Sequence, residues 1–170
     1  MSLDNNINEI KFKTKITKKE LYEFIMNNNY KSLRGVISVL FSLIALVGMI
    51  YYWQSLEIYQ KMIMIFFSCM FTIITPIEYY IRASRQVKKN FKEAITYIFN
   101  ASGITINIKE ESSTLPWEEV MKVISTKNLV IIYFTPIRAF ILPKKDIGED
   151  FEDLRELMET STDCYKFVMK

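Results

Sequence analysis

Two uncharged apolar stretches, separated by a short polar gap, constrain the fold of this chain more than any other feature. Residues 35–53 contain no charged side chain, and residues 58–81 are uncharged from Met62 to Ile77. A helix of nineteen residues spans roughly 28 Å, close to the hydrocarbon thickness of a bilayer, about 30 Å. The sequence therefore predicts a transmembrane helical hairpin, with helices at about 35–53 and 58–81.

Basic residues flank these two stretches. Residues 1–34 contain seven Lys or Arg against four Asp or Glu, and residues 82–92 contain five basic residues and no acidic one. Between the two uncharged runs, the only charged residues are Glu57 and Lys61. By the positive-inside rule, both termini are expected in the cytoplasm and the chain is expected to be a multi-pass protein of the cell membrane. The candidate contacts to anionic lipid headgroups are Arg82, Arg85, Lys88, Lys89 and Lys92.

Small residues recur on one face of each predicted membrane helix. Such residues let two helices approach closely in lipid, where packing and occasional hydrogen bonds drive association. The two stripes are predicted to face each other and close the hairpin; the alternative is that one stripe forms an oligomer interface. They consist of Gly35, Ser38, Ser42 and Ala45 in the first helix, and Ser68, Thr72 and Thr75 in the second.

The N-terminal segment 1–34 is predicted to contain a strand and a helix on the cytoplasmic side. Residues 9–17 alternate apolar side chains with lysines, which is typical of a half-buried strand. Thr17 and Glu20 have the spacing of a capping box before a helix at 18–33. Because one strand is not stable alone, we expect it to join a sheet formed later in the chain.

Residues 93–170, which follow the basic segment 82–92, show short β runs and a final amphipathic helix at about 149–160. A polar turn is expected at 110–113. The predicted fold is a small α+β cytoplasmic domain, in which an antiparallel sheet is closed by the C-terminal helix. The predicted strands are Ile95–Asn100, Ile104–Ile108, one starting at Leu115–Trp117, Val120–Ser125, Leu129–Phe134 and Ala139–Leu142.

No residue pattern of a catalytic, cofactor or metal site is present. The chain has no histidine, and the spacing of Cys69 and Cys164 suits neither a metal site nor a disulfide. Glu118 and Glu119 would point to opposite faces of a strand, so they do not form an acid–base pair. Trp117 is expected to be a structural anchor in the core rather than a recognition residue. We expect no enzyme activity, no cofactor and no nucleic-acid partner.

The order of these segments resembles that of YcxB-like bacterial membrane proteins. The resemblance rests on the sequence LPWEEV at 115–120 and on Leu142-Pro143-Lys144 before the final helix. It implies an integral membrane protein with a cytoplasmic domain and provides no catalytic residues. The C-terminal half also resembles a shortened pleckstrin-homology-like (PH-like) domain.

These observations favour a membrane-anchored, non-enzymatic interaction or regulatory module at the inner leaflet. Its partners would be the anionic bilayer and an unidentified protein, and a homo-oligomer remains open. The alternative is a small oligomeric transport or channel subunit, with serines and threonines of the hairpin along its path. An enzyme acting through carboxylates of the C-terminal domain is the least favoured hypothesis.

Overall fold

The computed structural model describes residues 9–164 and 166–169, so the first eight residues of the predicted segment 1–34 lie outside it. The chain divides into two compact units. One, here called the β domain, comprises the chain up to Glu20 together with the chain from Val87 onward. The other, the helical unit, is Leu21–Gln86.

Among the described residues, eight strands and most of the short helices belong to the β domain. The strands are β1 (Ile10–Thr14), β2 (Ile95–Asn100), β3 (Gly103–Ile108), β4 (Glu111–Leu115), β5 (Lys122–Ser125), β6 (Leu129–Tyr133), β7 (Ala139–Pro143) and β8 (Lys166–Val168). The helices of the chain are α1 (Lys18–Tyr30), α2 (Leu33–Tyr51), α3 (Ile58–Cys69), α4 (Thr75–Asn90), α5 (Lys144–Ile147) and α6 (Phe151–Ser161). A π-helical turn, Met70–Ile74, joins α3 to α4, and 3-10 turns lie at Trp117–Glu119 and Gly148–Asp150.

The N-terminal strand joins the C-terminal sheet, as predicted. β1 pairs antiparallel with β2, placing Ile10 opposite Phe99 and Thr14 opposite Ile95. Its Ile10, Phe12 and Thr14 are buried, whereas the intervening lysines are exposed. The period-two pattern of the sequence therefore describes this strand correctly.

Two sheets form in place of the single antiparallel sheet that was predicted. The first has the order β1-β2-β3-β4 and the second the order β7-β6-β5-β8. All pairs are antiparallel except β5 with β8, which run parallel. The parallel strand β8 follows α6, and its three residues are too short a run to stand out in the sequence.

The prediction was also wrong between residues 110 and 119. The expected polar turn at 110–113 falls mostly in β4, and the expected strand at Leu115–Trp117 gives way to a 3-10 turn, Trp117–Glu119. β4 is an edge strand with exposed side chains, so its sequence has no apolar alternation to reveal it. Pro116, at φ −62° and ψ 152°, ends the strand because it carries no N–H for the ladder.

The core of the β domain lies between its sheets and α6. All five side chains of β6 are buried, as expected for an interior strand covered on both faces. Leu154, Leu157 and Met158 share the buried face of α6, which confirms the predicted apolar stripe. At Gly103, φ is +148° and an added Cβ would lie 2.3 Å from the Leu115 oxygen, so the β2–β3 turn requires glycine.

The helical unit contains most of α1, all of α2 and α3, and α4 up to Gln86. α3, the π turn and α4 form one continuous helix, Ile58–Asn90, of 33 residues. The basic segment therefore continues the second apolar helix, as predicted. A 77° bend separates α1 from α2.

Candidate functional site

The surface of the helical unit is largely apolar between Leu33 and Ile81. Of the 29 large apolar side chains that are exposed among the described residues, 26 lie between Leu33 and Ile81 and three lie in the β domain. Over the same span, the buried side chains among those described are two serines, Ser42 and Ser68. This distribution of polar and apolar side chains is the reverse of that in a water-soluble domain.

The two serines connect α2 to α3. Ser42 Oγ donates a hydrogen bond of 2.8 Å to the Ser68 carbonyl oxygen. One turn further along α2, Ala45 lines an apolar cavity of about 290 Å³ together with Met64 and Phe67 of α3. The structure thus brings Ser42, Ala45 and Ser68 of the predicted stripes together.

The remaining members of the stripes have other surroundings. Gly35, Ser38 and Thr75 line a second cavity of the helical unit. Thr72 is exposed, and its hydroxyl donates to the Ser68 oxygen of its own helix at 2.6 Å. The two stripes therefore meet over part of their length.

The π turn accommodates Pro76. A proline has no N–H and clashes with the carbonyl four residues earlier, here that of Thr72. The Thr75 N–H and hydroxyl both donate to the Met70 oxygen, the hydroxyl at 2.9 Å, which is the i,i+5 spacing of a π turn. Threonine hydroxyls and π geometry are the means by which apolar helices satisfy backbone groups next to proline.

One face of α4 carries four basic side chains, here called the basic face. At 100° per residue, these side chains lie within an arc of about 120°. All four are exposed, and the buried Ala83 lies on the opposite side of the helix. The predicted fifth member, Lys92, is exposed just beyond the end of α4. The basic face consists of Arg82, Arg85, Lys88 and Lys89.

One helix among the described residues, Ile58–Asn90, is long and apolar enough to cross a membrane. A second span is obtained if α1 and the part of α2 from Gly35 to Tyr51 are taken together as one bent helix. At 1.5 Å per residue, the first of these helices is about 50 Å long, so it exceeds the hydrocarbon thickness by roughly 20 Å.

Trp117 lies in the core of the β domain. Its side chain is 4% exposed, its ring stacks on Phe99 with centroids 6.3 Å apart, and Nε1 donates to the Asn100 oxygen at 2.9 Å. Glu118 and Glu119 follow it on an exposed 3-10 turn rather than on a strand. No group of three or more His, Cys, Asp or Glu among the described residues is arranged to hold a metal ion.

An ionic contact that the sequence did not reveal joins the start of α1 to α5. Lys145 Nζ lies 2.6 Å from Glu20 Oε1, and Thr14 Oγ1 donates to Asp146 Oδ2. Glu20 Oε2 also accepts the Thr17 N–H at 2.7 Å, which is the contact that the capping box predicts. The spacing of Thr17 and Glu20 identified Glu20, but nothing local identified Lys145, which is 125 residues further along the chain.

This contact changes the acidity of Glu20. Burial alone would raise the pKa of its carboxyl group, but the hydrogen bonds from Lys145 and from Thr17 outweigh burial. The pKa of Glu20 is therefore below its ordinary value of 4.5, and the pKa of Lys145 is raised by the same hydrogen bond. Glu20 is ionised at neutral pH and fixes β1 and α1 to the segment after β7.

Comparison with known proteins gives one family. Residues 99–158 match the model of the YcxB-like protein family. The chain is 27% identical over 115 residues to the uncharacterised protein YcxB of Bacillus subtilis (strain 168), and the match covers 65% of this chain and 62% of that protein. The aligned region is thus less than two thirds of the relative's length. No solved structure matches the chain.

Proposed function

We propose that this member of the YcxB-like family is a non-enzymatic interaction or regulatory module, anchored in the cell membrane, that displays its β domain at the inner leaflet. The observation that carries the proposal is the reversed polarity of the helical unit between Leu33 and Ile81, where 26 large apolar side chains are exposed and the buried side chains among those described are two serines. A soluble monomer rarely exposes contiguous apolar patches larger than a few hundred Å². In the hydrocarbon core of a bilayer the same apolar surface is not in contact with water, so its exposure is not unfavourable.

The pairing of β1 with β2 supports two crossings rather than one. Hydrogen-bonded strands lie on the same side of a membrane, so the chain between Thr14 and Ile95 crosses it an even number of times. The helix Ile58–Asn90 supplies one crossing, and α2 is the remaining apolar helix of this segment. The hairpin prediction, with both termini in the cytoplasm, agrees with this requirement.

The basic face lies where the inner headgroups are expected. The apolar part of the helix ends near Ile77, and Arg82 follows about 7 Å further along the axis. The headgroup layer of one leaflet is about 5–8 Å thick, so the basic face begins at its level. Each Lys or Arg near an anionic surface contributes about 1 kcal/mol.

The β domain supports a role in binding rather than in catalysis. Its conspicuous side chains are used in packing or in ion pairs, as Trp117 and Lys145 illustrate. The PH-like assignment is part of this proposal, and it is supported by two antiparallel meanders, β1–β4 and β5–β7, followed by α6. A protein partner would then bind on an outer face of this domain.

The transport alternative receives less support. Ser42 donates its hydroxyl hydrogen within the chain, to the Ser68 carbonyl oxygen, and Thr72 donates to the same oxygen, so neither O–H group is free to donate to a solute in a path. A hairpin of two helices would also need several copies to enclose a pore. Light scattering of the protein in mild detergent tests this alternative, which requires an oligomer.

Cysteine labelling of the full chain in native membranes tests the proposal. In a background in which Cys69 and Cys164 are replaced by alanine, a single cysteine is introduced by Ser55→Cys, between α2 and α3, or by Ser112→Cys, on exposed β4. A membrane-impermeant maleimide should label Ser55→Cys in intact cells, and Ser112→Cys only after permeabilisation. Labelling of both positions in intact cells, or release of the protein by alkaline carbonate, contradicts the proposal.

Crosslinking in the same membranes then tests the interaction role. Crosslinks from the β domain to one defined protein, which persist when the basic face is neutralised to glutamine, support a protein partner. A matched control replaces four exposed lysines of the β domain, Lys11, Lys13, Lys15 and Lys127, and removes the same charge. Crosslinks only between helical units of different copies favour the transport alternative.

A further inference from the structure

A polar cavity lies within the helical unit, at the end where α1, α2 and α4 meet. Its volume is about 370 Å³, within the range of about 300–1,000 Å³ typical of small-molecule sites. In the proposed orientation this end is level with the inner headgroups. The cavity is lined by Asn29, Tyr30, Ser32, Gly35, Ser38, Thr75, Glu78 and Tyr79.

The turn between α1 and α2 holds one wall of the cavity rigidly. An added Cβ on Gly35 would lie 2.1 Å from the Asn29 oxygen, so only glycine allows the two helices to approach this closely. Ser32 caps α2 by accepting the Gly35 N–H at 3.2 Å, and its own hydroxyl donates to the Asn29 oxygen. This wall is therefore formed before any ligand binds, which lowers the cost of binding.

Two tyrosines and a carboxylate also line the cavity. The rings of Tyr30 and Tyr79 are 6.4 Å apart and nearly perpendicular, at 88°, so they form an aromatic corner. Burial, and after it the neighbouring phenols of Tyr79 and Tyr22, raise the pKa of Tyr30, which keeps its ring neutral. Glu78 is the sole charged side chain among the described residues of the lining.

Glu78 has no cationic partner in the part of the chain that the structure describes. The ion pairs there join Lys109 to Glu93, Lys145 to Glu20 and Arg155 to Glu152. Arg82, four residues further along the same helix, forms no ion pair with Glu78. A carboxylate beside aromatic faces is the arrangement that binds organic ammonium groups, because the ring faces and the carboxylate all carry negative potential.

We propose that this cavity binds the ammonium group of a phosphoethanolamine-type headgroup, in the corner formed by Tyr30, Tyr79 and Glu78. The start of α2, beside Ser32 and Gly35, offers the positive end of a helix dipole to the phosphate of the same zwitterion. The headgroup belongs either to a membrane lipid or to a soluble glycerophosphoethanolamine. The lipid source rests on the proposed membrane function, whereas the ammonium chemistry does not.

Native mass spectrometry of the full chain in mild detergent tests the inference. The probes are phosphatidylethanolamine and phosphatidylglycerol with the same acyl chains, which differ in the ammonium group. The wild-type chain should prefer phosphatidylethanolamine, and Glu78→Gln should weaken its binding at least about tenfold, as expected for a lost contact to a charged group. The binding of phosphatidylglycerol should be unchanged.

Matched variants separate recognition from folding. Glu57→Gln changes a carboxylate at the start of α3, about 20 residues before Glu78 along the same continuous helix. Glutamine still accepts the capping hydrogen bond there, so the lipid preference should persist. Tyr79→Leu should weaken binding, Tyr79→Phe should retain it because the ring face remains, and Tyr80→Leu, one position further along α4, should behave as the wild type. Equal binding of the two lipids by the wild-type chain, or an unchanged preference in Glu78→Gln, overturns the inference.

A competition experiment distinguishes the two sources of the headgroup, the membrane lipid and the soluble glycerophosphoethanolamine. Displacement of the lipid by soluble glycerophosphoethanolamine shows that the headgroup alone suffices, whereas preference without displacement assigns the lipid as the ligand. Both results support the ammonium site. Because these measurements are made in detergent, they succeed or fail independently of the labelling experiment that tests membrane topology.

Discussion

The two tryptophans of the chain illustrate how differently its two units are built. In the β domain, Trp117 is 4% exposed and lies against Phe99, and the surface around the core is polar. In the helical unit, Trp53 is 48% exposed, and Ser42 and Ser68 are buried instead. The β domain follows the rule for proteins in water, and the helical unit has the distribution of side chains that our proposal of helices in lipid requires.

The difference shows which interactions hold each unit together. Burial of apolar surface stabilises the β domain, at about 25 cal/mol per Å² removed from water. Between helices in hydrocarbon this gain is absent. In the proposed membrane hairpin, close packing and hydrogen bonds such as that from Ser42 to the Ser68 oxygen would therefore stabilise the helical unit. The same substitution should therefore have different effects in the two units.

The largest difference is expected for the tryptophans. Trp117→Ala should destabilise the β domain by about 3–5 kcal/mol, because it leaves a cavity and removes the hydrogen bond to the Asn100 oxygen. Trp53→Ala should cost about 0.5–1 kcal/mol, the value of its contact with Lys61, whose Nζ lies 4.8 Å from the ring centroid. Hydrogen exchange of the β2 and β6 amides in detergent measures the loss of stability in Trp117→Ala, and thermal unfolding of the helical unit measures the loss in Trp53→Ala. Equal losses in the two variants would contradict the difference between the two units.

A lysine introduced on an exposed apolar position should distinguish the two surroundings. Val47→Lys, in the middle of α2, should reduce membrane insertion by about 2.5–3.5 kcal/mol, because in the proposed hairpin the charge would lie in hydrocarbon. Ile137→Lys, in the β domain, should have little effect, although Ile137 is 79% exposed against 62% for Val47. A glycosylation-based assay measures the membrane insertion of Val47→Lys, and chemical denaturation measures the stability of Ile137→Lys. Normal insertion of Val47→Lys would mean that α2 does not lie in hydrocarbon.

Loss of the serine hydrogen bond should have a smaller effect. Ser42→Ala removes the donor to the Ser68 oxygen and should destabilise the helical unit by about 0.6 kcal/mol, and by no more than about 1.7 kcal/mol. Ser68→Ala is the matched control, because the acceptor is the backbone oxygen, which that substitution retains. Thermal unfolding in detergent compares the two variants. An equal or larger loss in Ser68→Ala would show that the bond contributes little.

The smallest effect is expected at Glu20, and it depends on pH. Its folded pKa lies below the ordinary 4.5, so the folded state binds fewer protons than the unfolded state in this range. The stabilisation is present above about pH 4.5 and is lost as the pH falls through the folded pKa. Because Lys145 is 61% exposed, the pair should contribute less than about 1 kcal/mol.

Unfolding of the β domain as a function of pH, for the wild type and for Glu20→Gln, measures this contribution. The variant should be less stable at pH 7, and the difference should shrink toward pH 3. Lys145→Gln should reduce the same difference, because the hydrogen bond from Lys145 is the largest effect that lowers the pKa of Glu20. A difference that is constant with pH would assign the effect to packing rather than to the ion pair.

Local patterns predicted much of this fold. The alternation in β1, the apolar run of β6 and the stripe of α6 each depend on residues a few positions apart, and the structure confirms them. The prediction failed at β4, an exposed edge strand that has no apolar alternation, and at β8, a three-residue strand whose parallel partner β5 lies far earlier in the chain. The Glu20–Lys145 pair and the polar cavity also depend on the tertiary fold, so neither Lys145 nor Tyr79 could be assigned a partner from sequence spacing.

The pairing of β1 with β2 also determines when the first sheet can form during synthesis of the chain. β1 leaves the ribosome first, but its partner follows about 80 residues later, a delay of roughly 4–16 s at bacterial rates of synthesis. During this delay the strand has no neighbour, and Lys11, Lys13 and Lys15 protect it from pairing with the wrong chain. A fragment that starts after α4 would lack this strand permanently and would expose the edge of β2 instead.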